Sequence, residues 1–416
     1  MKKTALFICM LTAFSQTSFA TQNRVTALGG EVAMISDDDT NIDLFPQHIN
    51  KQNLLRLTRI HSTTPDYAVI TGKPGDKWGL YGGTVQQNDF LNIFKSLDAN
   101  SAVKLGFAIG RHSEEDVTNN KEASPADDSG TEKNSYYTLA IDGIFGTTKD
   151  DTEMSVRGVF SYGPNAIASV TAGGSALAGP FGTYEFSGTT AGTAIKADGE
   201  GNQTVLMGVA SVRKPMKVAI FTKAFAQGSA LYSSSSSSLS TGATKNEDSS
   251  ASTISLFGRA LLFDEKQIND SSKLVYGIGG QGTLSRINSK DKVTSEDDKR
   301  TTLTITGPQI RMGAETKLKY GTVRFGIARD FALLTYDSHS ETVVEAGGTN
   351  NNENSDKTFS IATTGTYSVS TGFGLEYNNL KLDVTLSRFF WVHGPQMVFD
   401  SQNGTLATSA DVIYTF

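Results

Sequence analysis

Residues 380–387 read Leu380-Lys381-Leu382-Asp383-Val384-Thr385-Leu386-Ser387. Apolar and polar residues alternate without a break. In an extended chain successive side chains point to opposite faces, so this pattern builds one apolar and one polar face. The same period recurs. Val103, Leu105, Phe107 and Ile109 alternate with Lys104, Gly106 and Ala108; Tyr137, Leu139 and Ile141 oppose Thr138, Ala140 and Asp142. Met154, Val156 and Phe160 oppose Glu153, Ser155 and Arg157, and Ile254, Leu256 and Leu262 oppose Ser255 and Arg259. An apolar face of this kind covers a second sheet in a soluble sandwich, or meets lipid around a polar lumen in an outer-membrane barrel.

The links between strands separate the two cases. Short links fall at 73–77, 98–101, 148–151, 213–217, 264–272, 317–320 and 378–379. Long polar segments fall between them, at 112–134, 164–202, 230–250, 288–300, 338–363 and 393–404, with briefer ones at 62–65 and 85–88. Short and long alternate, as periplasmic turns and outer loops do in a transmembrane barrel. A sandwich has no reason to gather its long loops at one end. The expected fold is all-β: an antiparallel transmembrane β-barrel of about sixteen strands, with fourteen as the alternative because the first four strands are short. The expected strands are 53–61, 66–72, 77–84, 89–97, 102–111, 135–147, 152–163, 203–212, 218–229, 251–263, 273–287, 301–316, 321–336, 364–377, 380–392 and 405–416. An even count places both termini in the periplasm. At Gly307-Pro308 the alternation shifts phase, which predicts a bulge, since proline cannot donate to the ladder. The serine run Ser233–Ser238 and the patch Gly347–Asn352 are too poor in apolar groups to order themselves, and are expected in mobile outer loops.

The 416 residues carry 37 Lys and Arg against 43 Asp and Glu, a formal charge of −6, with 41 Gly and 9 Pro. An acidic chain lacks the basic stripe of a nucleic-acid binder. Lys2 and Lys3, the apolar run 5–14 and Ser18-Phe19-Ala20 have the layout of a secretory signal peptide, with cleavage expected after Ala20. The one cysteine, Cys9, lies inside it. A mature chain without cysteine has no disulfide and no thiolate metal site. Beyond residue 20 no apolar run reaches the length of a transmembrane helix.

The last strand places Leu406, Thr408, Ala410, Val412, Tyr414 and Phe416 on one face, with Ile413 an exception on the other. A terminal Phe416 with Tyr414 two residues before it resembles the C-terminal signal of bacterial outer-membrane proteins. That resemblance implies reading by the barrel-assembly machinery. Residues 24–46, RVTALGGEVAMISDDDTNIDLFP, lack period two. Their Gly29-Gly30, the carboxylates Asp37, Asp38 and Asp39, then Asn41 and Phe45-Pro46 resemble the leading segment of FadL-type transporters of hydrophobic compounds and of related barrels such as PorV. The resemblance implies a plug inside the barrel. The organisation expected is a signal peptide over 1–20, a plug or periplasmic segment over 21–50 and a barrel over 51–416. A carboxylate confined in a lumen loses solvation unless paired. Asp37–Asn41 are therefore expected to meet lumen arginines such as Arg157, Arg259, Arg311 or Arg324.

Further lumen and constriction candidates are Lys104, Asp142, Glu153 and Asp383. Asp383→Asn is expected to be mild. His48, His61, His112, His339 and His393 form no spaced metal motif, and are expected as solvated loop residues; no catalytic site, metal or cofactor is expected. The function expected is passive passage of small or hydrophobic solutes through the cell outer membrane, with membrane lipid as the surrounding partner. The alternative is a structural or surface-interaction barrel that transports nothing.

Overall fold

A computed structural model describes residues 22–58, 66–85, 88–117, 131–163, 169–170, 177–179, 182–184, 200–241, 244–291, 296–319, 321–331, 333–344, 351–362, 367–386 and 407–416. The expected signal peptide, the connections 62–65 and 393–404, most of 164–202, and His61 and His393 lie outside these residues.

The strands are β1 (Leu54–Thr58), β2 (Asp66–Thr71), β3 (Trp78–Val85), β4 (Asn88–Ser96), β5 (Ser101–Val117), β6 (Thr131–Lys149), β7 (Thr152–Gly163) and β8 (Glu200–Val218). They continue as β9 (Phe221–Thr241), β10 (Thr244–Asn269), β11 (Ser272–Asp291) and β12 (Glu296–Leu318). Strand β13 runs Gly321–Asp330 and resumes at Leu333–Val344; both halves pair with β12. Strand β14 likewise has two parts, Asn351–Ala362 and Tyr367–Tyr377, each paired with one half of β13. With β15 (Leu380–Leu386) and β16 (Ala407–Thr415) the count is sixteen. Each strand pairs antiparallel with the next, and Leu54–Leu57 of β1 pair with Val412–Thr415 of β16, which closes the sheet. Closure pairs both edges of the sheet at the short-turn end.

The two faces follow the sequence period. Leu105, Phe107 and Ile109 are exposed on the outer wall while Lys104 and Ala108 are buried. Strand β15 repeats this, with Lys381, Asp383 and Thr385 buried on the inner face. The bulge is present. Gly279 pairs with Gln309 and Gln281 with Thr306, so Gly307-Pro308 lies opposite Gly280. The extra residue restores the outward face: Ile305 before it and Met312 after it are both exposed.

Strand lengths differ from expectation. Segments 230–250 and 288–300, expected as outer loops, are largely strand, and so are the described parts of 338–363. Ser233–Ser238 is not a loop: it pairs on one side with residues 200–205 and on the other with 248–253. A ladder needs only backbone donors and acceptors, and serine supplies these once a hairpin fixes the register. Strand β10 has 26 residues, roughly 85 Å of extended chain, against a hydrocarbon core of about 30 Å. The wall from β8 to β13 therefore continues past the apolar belt. At the other end the turns are tighter than expected. Strand β8 runs on to Val218 through a bulge at Pro215, and β10 reaches Asn269 before turning at 270–271. Asp150 and Asp151 both adopt positive φ between β6 and β7, as a two-residue hairpin with a primed turn requires.

Val384→Arg puts a cation on the outer face of β15 and is expected to cost about 2–4 kcal/mol near mid-membrane. Thr385→Ser, one residue along on the inner face, keeps the hydroxyl that donates to Asn23 and should be much milder. Urea unfolding of the protein folded into lipid vesicles measures both.

Candidate functional site

The leading segment is helix α1 (Gln22–Ala27) followed by three 3-10 turns, Val32–Met34, Asp39–Asp43 and Pro46–Lys51. It lies against the inner wall at the short-turn end. Its hydrogen bonds reach Asp411 on β16, Thr385 on β15, Glu315 on β12, Glu265 on β10, Arg213 on β8, Glu153 on β7 and Thr147 on β6. A segment of this length touches so many strands only by crossing the lumen.

Arg24 is its centre. The guanidinium is fully buried and donates from Nε to Glu315 Oε2 at 2.7 Å and from Nη2 to Glu315 Oε1 at 3.0 Å. It also donates to both Asp37 oxygens at 3.2 and 3.3 Å, and Asp38 stands 3.7 Å away. Glu315 accepts from Arg324 at 2.6 Å, and Arg324 donates to Asp383 at 2.7 Å. Lys381 is 3.4 Å from Asp383. On the other side Lys273 contacts Asp37 at 3.3 Å and also Glu265, which accepts from Lys223 at 2.9 Å. Charges of alternating sign thus run along the wall from Lys381 on β15 to Lys223 on β9, and the segment's own Arg24 and Asp37 are the links between Glu315 and Lys273, which face each other on adjacent strands. Partial burial would raise the Asp37 carboxyl, but Arg24 and Lys273 outweigh it and hold it at about 2.

A second set fixes the segment's far end. Asn41 accepts from Arg213 at 2.8 Å, and Glu153 bridges Arg213 and His48. Burial lowers the His48 imidazole to about 4, with Lys51 and Arg213 adding to the effect against the Glu153 hydrogen bond. His48 is buried rather than solvated, contrary to expectation, because its turn docks under β7 and β8. Phe45 is fully buried, packs edge-on to Phe225 and lies under the Arg213 guanidinium. Ile42 and Ile49 join Leu54, Ile70, Phe94 and Ile413, which explains the inward exception in the last strand. Backbone approach is close at Ala27–Gly29. A Cβ on Gly326 would stand 2.3 Å from the Gly29 nitrogen, and one on Gly313 2.5 Å from the Leu28 oxygen. Gly29 and Gly30 have φ of +103° and +76°, which turn the chain off the helix.

The expected partners of Asp37–Asn41 are corrected in part. Asp37 and Asp38 meet Arg24, not a barrel arginine, and Asn41 meets Arg213. The side chain of Asp39 lies outside the described residues. Arg259 pairs with Glu31 at 3.1 Å, Arg311 with Asp330 at 2.9 Å, and Arg324 with Glu315 and Asp383. Arg157 and Lys104 share Asp142, at 2.6 and 2.9 Å from Oδ2. Each of these arginines faces a carboxylate nearer on the barrel, or Glu31, so none is left for the aspartate run. Asp383 is 0% exposed between two cations, so Asp383→Asn is expected to be costly rather than mild, because it would leave Arg324 and Lys381 short of a counter-charge. Pro46 opens the last 3-10 turn, and the exposed rings of Tyr414 and Phe416 stack 6.2 Å apart on the outer face. His339, exposed, pairs with Asp298 at 2.8 Å.

Arg24, Glu31, Arg213, Lys223, Glu265, Lys273, Glu315 and Lys381 were not singled out from the sequence. The strand members among them carried a readable signal, a charge on the inward phase within a few residues of a short turn. Farther from the turns the inner wall is apolar over β4–β9, while Ser255, Thr283 and Ser285 keep it polar on β10 and β11. Phe90, Ala108, Ala140, Val159, Val205, Met207, Val209 and Leu231 form one buried cluster on β4–β9. Among the described residues no three acidic, histidine or cysteine side chains gather as a metal site.

No family model matches the chain, and neither does any curated protein. Among solved structures it resembles the ferric citrate transporter FecA in its unliganded form, at 7% identity and a TM-score of 0.34, over 80% of this chain and 58% of that one. The ferric yersiniabactin uptake receptor FyuA from Yersinia pestis aligns at 8% identity and 0.30, over 88% and 80%. The ferric-catecholate import receptor Fiu from E. coli K12 aligns at 8% and 0.29, over 88% and 82%. These scores are too low to carry activity or residue roles from those barrels to this one.

Arg24→Gln should expose the segment to protease and destabilise the protein by about 3–5 kcal/mol, because Glu315 and Asp38 keep their charge in a buried place. Adding Glu315→Gln should recover part of that loss, and urea unfolding reads the coupling. The second expectation concerns pH. Unfolded His48 takes a proton near 6.5, the folded one only near 4. The unfolded state binds more protons in that window, so stability falls as pH drops through it. His48→Gln should flatten this slope in unfolding midpoints measured between pH 7 and 4.

Proposed function

We propose that the chain is an outer-membrane channel for small, partly apolar solutes, with its periplasmic end closed by residues 22–51. The supporting observation is the order of linings along one lumen. The segment, tied by ion pairs to the inner wall, occupies the short-turn end, and the inner face beyond it carries Phe90, Val159, Met207 and Leu231. The same level carries Ser255, Thr283 and Ser285 on β10 and β11, and an inner face that is apolar on one side and hydroxyl-lined on the other favours solutes that are themselves partly apolar. The outer face, with Leu80, Ile109, Val156 and Phe325 exposed, suits lipid. In this reading residues 1–20 direct export, the termini are periplasmic and passage is passive. The likeness to FadL-type barrels rests on the leading segment alone, since this barrel has sixteen strands and those have fourteen.

A second reading has a specific observation behind it. The charges are interlocked from Lys381 to Lys223 with few gaps, as in a filled barrel that serves as structure.

Conductance in a planar bilayer separates the readings. The intact mature protein should conduct weakly. Asp37→Asn with Asp38→Asn and Asp39→Asn should raise conductance, and removal of residues 21–50 should raise it further. High conductance in the intact protein, unchanged by the triple substitution, describes an open general pore. No conductance after removal of the segment describes a structural barrel.

A further inference from the structure

Beyond the apolar belt the outer wall from β9 to β14 changes character within one ladder row. One row, read across neighbouring strands, is Ala230, Leu256, Leu284, Leu303, Tyr336 and Phe359. Two residues farther from the turns, the row is Tyr232, Ile254, Arg286, Thr301, Ser338 and Lys357. The next is Ser234, Ser252, Asn288, Lys299, Ser340 and Ser355. All three rows share the outward phase. Arg286, Lys299 and Lys357 are exposed, as are Leu256, Leu284 and Phe359 below them.

Over these six strands the two polar rows hold three cations and no carboxylate. Asp297 and Glu353 enter only in the following row, with Lys290. The nearby pairs Arg300–Asp337 and His339–Asp298 belong to the opposite phase and the inner face. In a chain of net charge −6, a carboxylate-free basic band along one edge of the belt is a departure from the average surface. Arg286 and Lys357 lie three strand spacings apart, roughly 14 Å, with Lys299 between them one row farther out. Beside Arg286 the wall forms a recess of about 440 Å³ lined by Tyr162, Thr204, Ser234, Ser252, Asn288 and Lys290. Hydroxyl and amide groups suit saccharide oxygens, and the guanidinium and ammonium groups suit phosphate.

We propose that Arg286, Lys299 and Lys357, with the serine-lined recess beside them, form a docking surface for the phosphorylated saccharide headgroup of an outer-leaflet glycolipid. The acyl chains of such a lipid lie against Leu256, Leu284, Leu303 and Phe359 while its phosphates reach the basic rows directly above. A free anion has no use for the apolar row, so the occupant is the lipid. The orientation, long strands outward, rests on the outer-membrane reading above; the surface does not depend on whether the lumen conducts.

The test uses the folded mature protein in neutral detergent. Titration with a diphosphorylated, acylated glucosamine disaccharide, followed by native mass spectrometry, gives the affinity. R286Q/K299Q/K357Q should bind at least about tenfold more weakly and lose the salt dependence of binding. K214Q/K266Q, which removes exposed cations at the short-turn end, should bind like the wild type. Retained heat-modifiability shows that each variant is folded, and unchanged conductance separates this result from the channel reading. Equal binding by wild type and triple variant overturns the proposal. So does equal loss in both variants, equal retention of phosphatidylcholine, or full competition by inorganic phosphate at the glycolipid's concentration.

Discussion

A guanidinium with no exposure to solvent must be neutralised where it sits, and Arg24 sits inside a closed barrel. Desolvating one such ion costs several kcal/mol, which attraction offsets only when several acceptors converge in good geometry. Glu315 supplies two acceptors from the wall and Asp37 two from the segment itself. Glu315 in turn needs Arg324, and Asp37 needs Lys273. The arrangement propagates because most of the new charges, Glu315, Arg324, Asp383 and Glu265 among them, are themselves buried. Among the described ion pairs it reaches from Lys381 on β15 to Lys223 on β9. The segment is therefore held by the electrostatics of the whole inner wall rather than by one contact.

Packing makes that network possible. Carboxylates on β10 and β12 reach the segment only because its backbone lies flat on Gly313 and Gly326, and because Gly29-Gly30 reverse the chain. Apolar side chains from both partners fill the remaining space. Val25, Met34 and Phe45 meet Phe225, Phe263 and Val275 on one side; Ile42 and Ile49 meet Phe94 and Ile413 on the other. These side chains exclude water from the ion pairs, which strengthens them, and leave no room for unpaired charge.

The barrel has three chemical zones along its length. The short-turn end is charged inside. The middle is apolar outside and, over β4–β9, apolar inside as well. The far end is a polar wall on β9–β14, rich in serine, threonine and charged side chains. The proposed passage and the proposed lipid-docking surface therefore lie on different faces and at different heights. A change in one zone reaches another only through the shared backbone ladder.

Local alternation was enough to place sixteen strands at their short-turn ends and to assign the faces there, though not to say how far the strands run at the other end. Alternation is local: eight residues from Leu380 to Ser387 suffice to say which side meets lipid, and the phase change at Gly307-Pro308 is enough to locate a bulge. The charged lumen candidates were legible for the same reason. Tertiary structure alone decided which charge meets which. Arg24 and Glu315 are separated by 291 positions, and nothing local distinguishes Glu315 from the other inward carboxylates as its partner. The serine run was misread for a related reason. Its side chains carry no apolar signal, yet its backbone extends a ladder whose register is fixed more than ten residues away, at the turn between β9's start and β8. Ile413 looked like an error in the last strand until Ile42 and Ile49, nearly four hundred residues earlier, came to rest against it. Periodicity records how one strand is solvated; closure of the barrel brings distant residues together, and only that proximity selects partners among groups of equal chemistry.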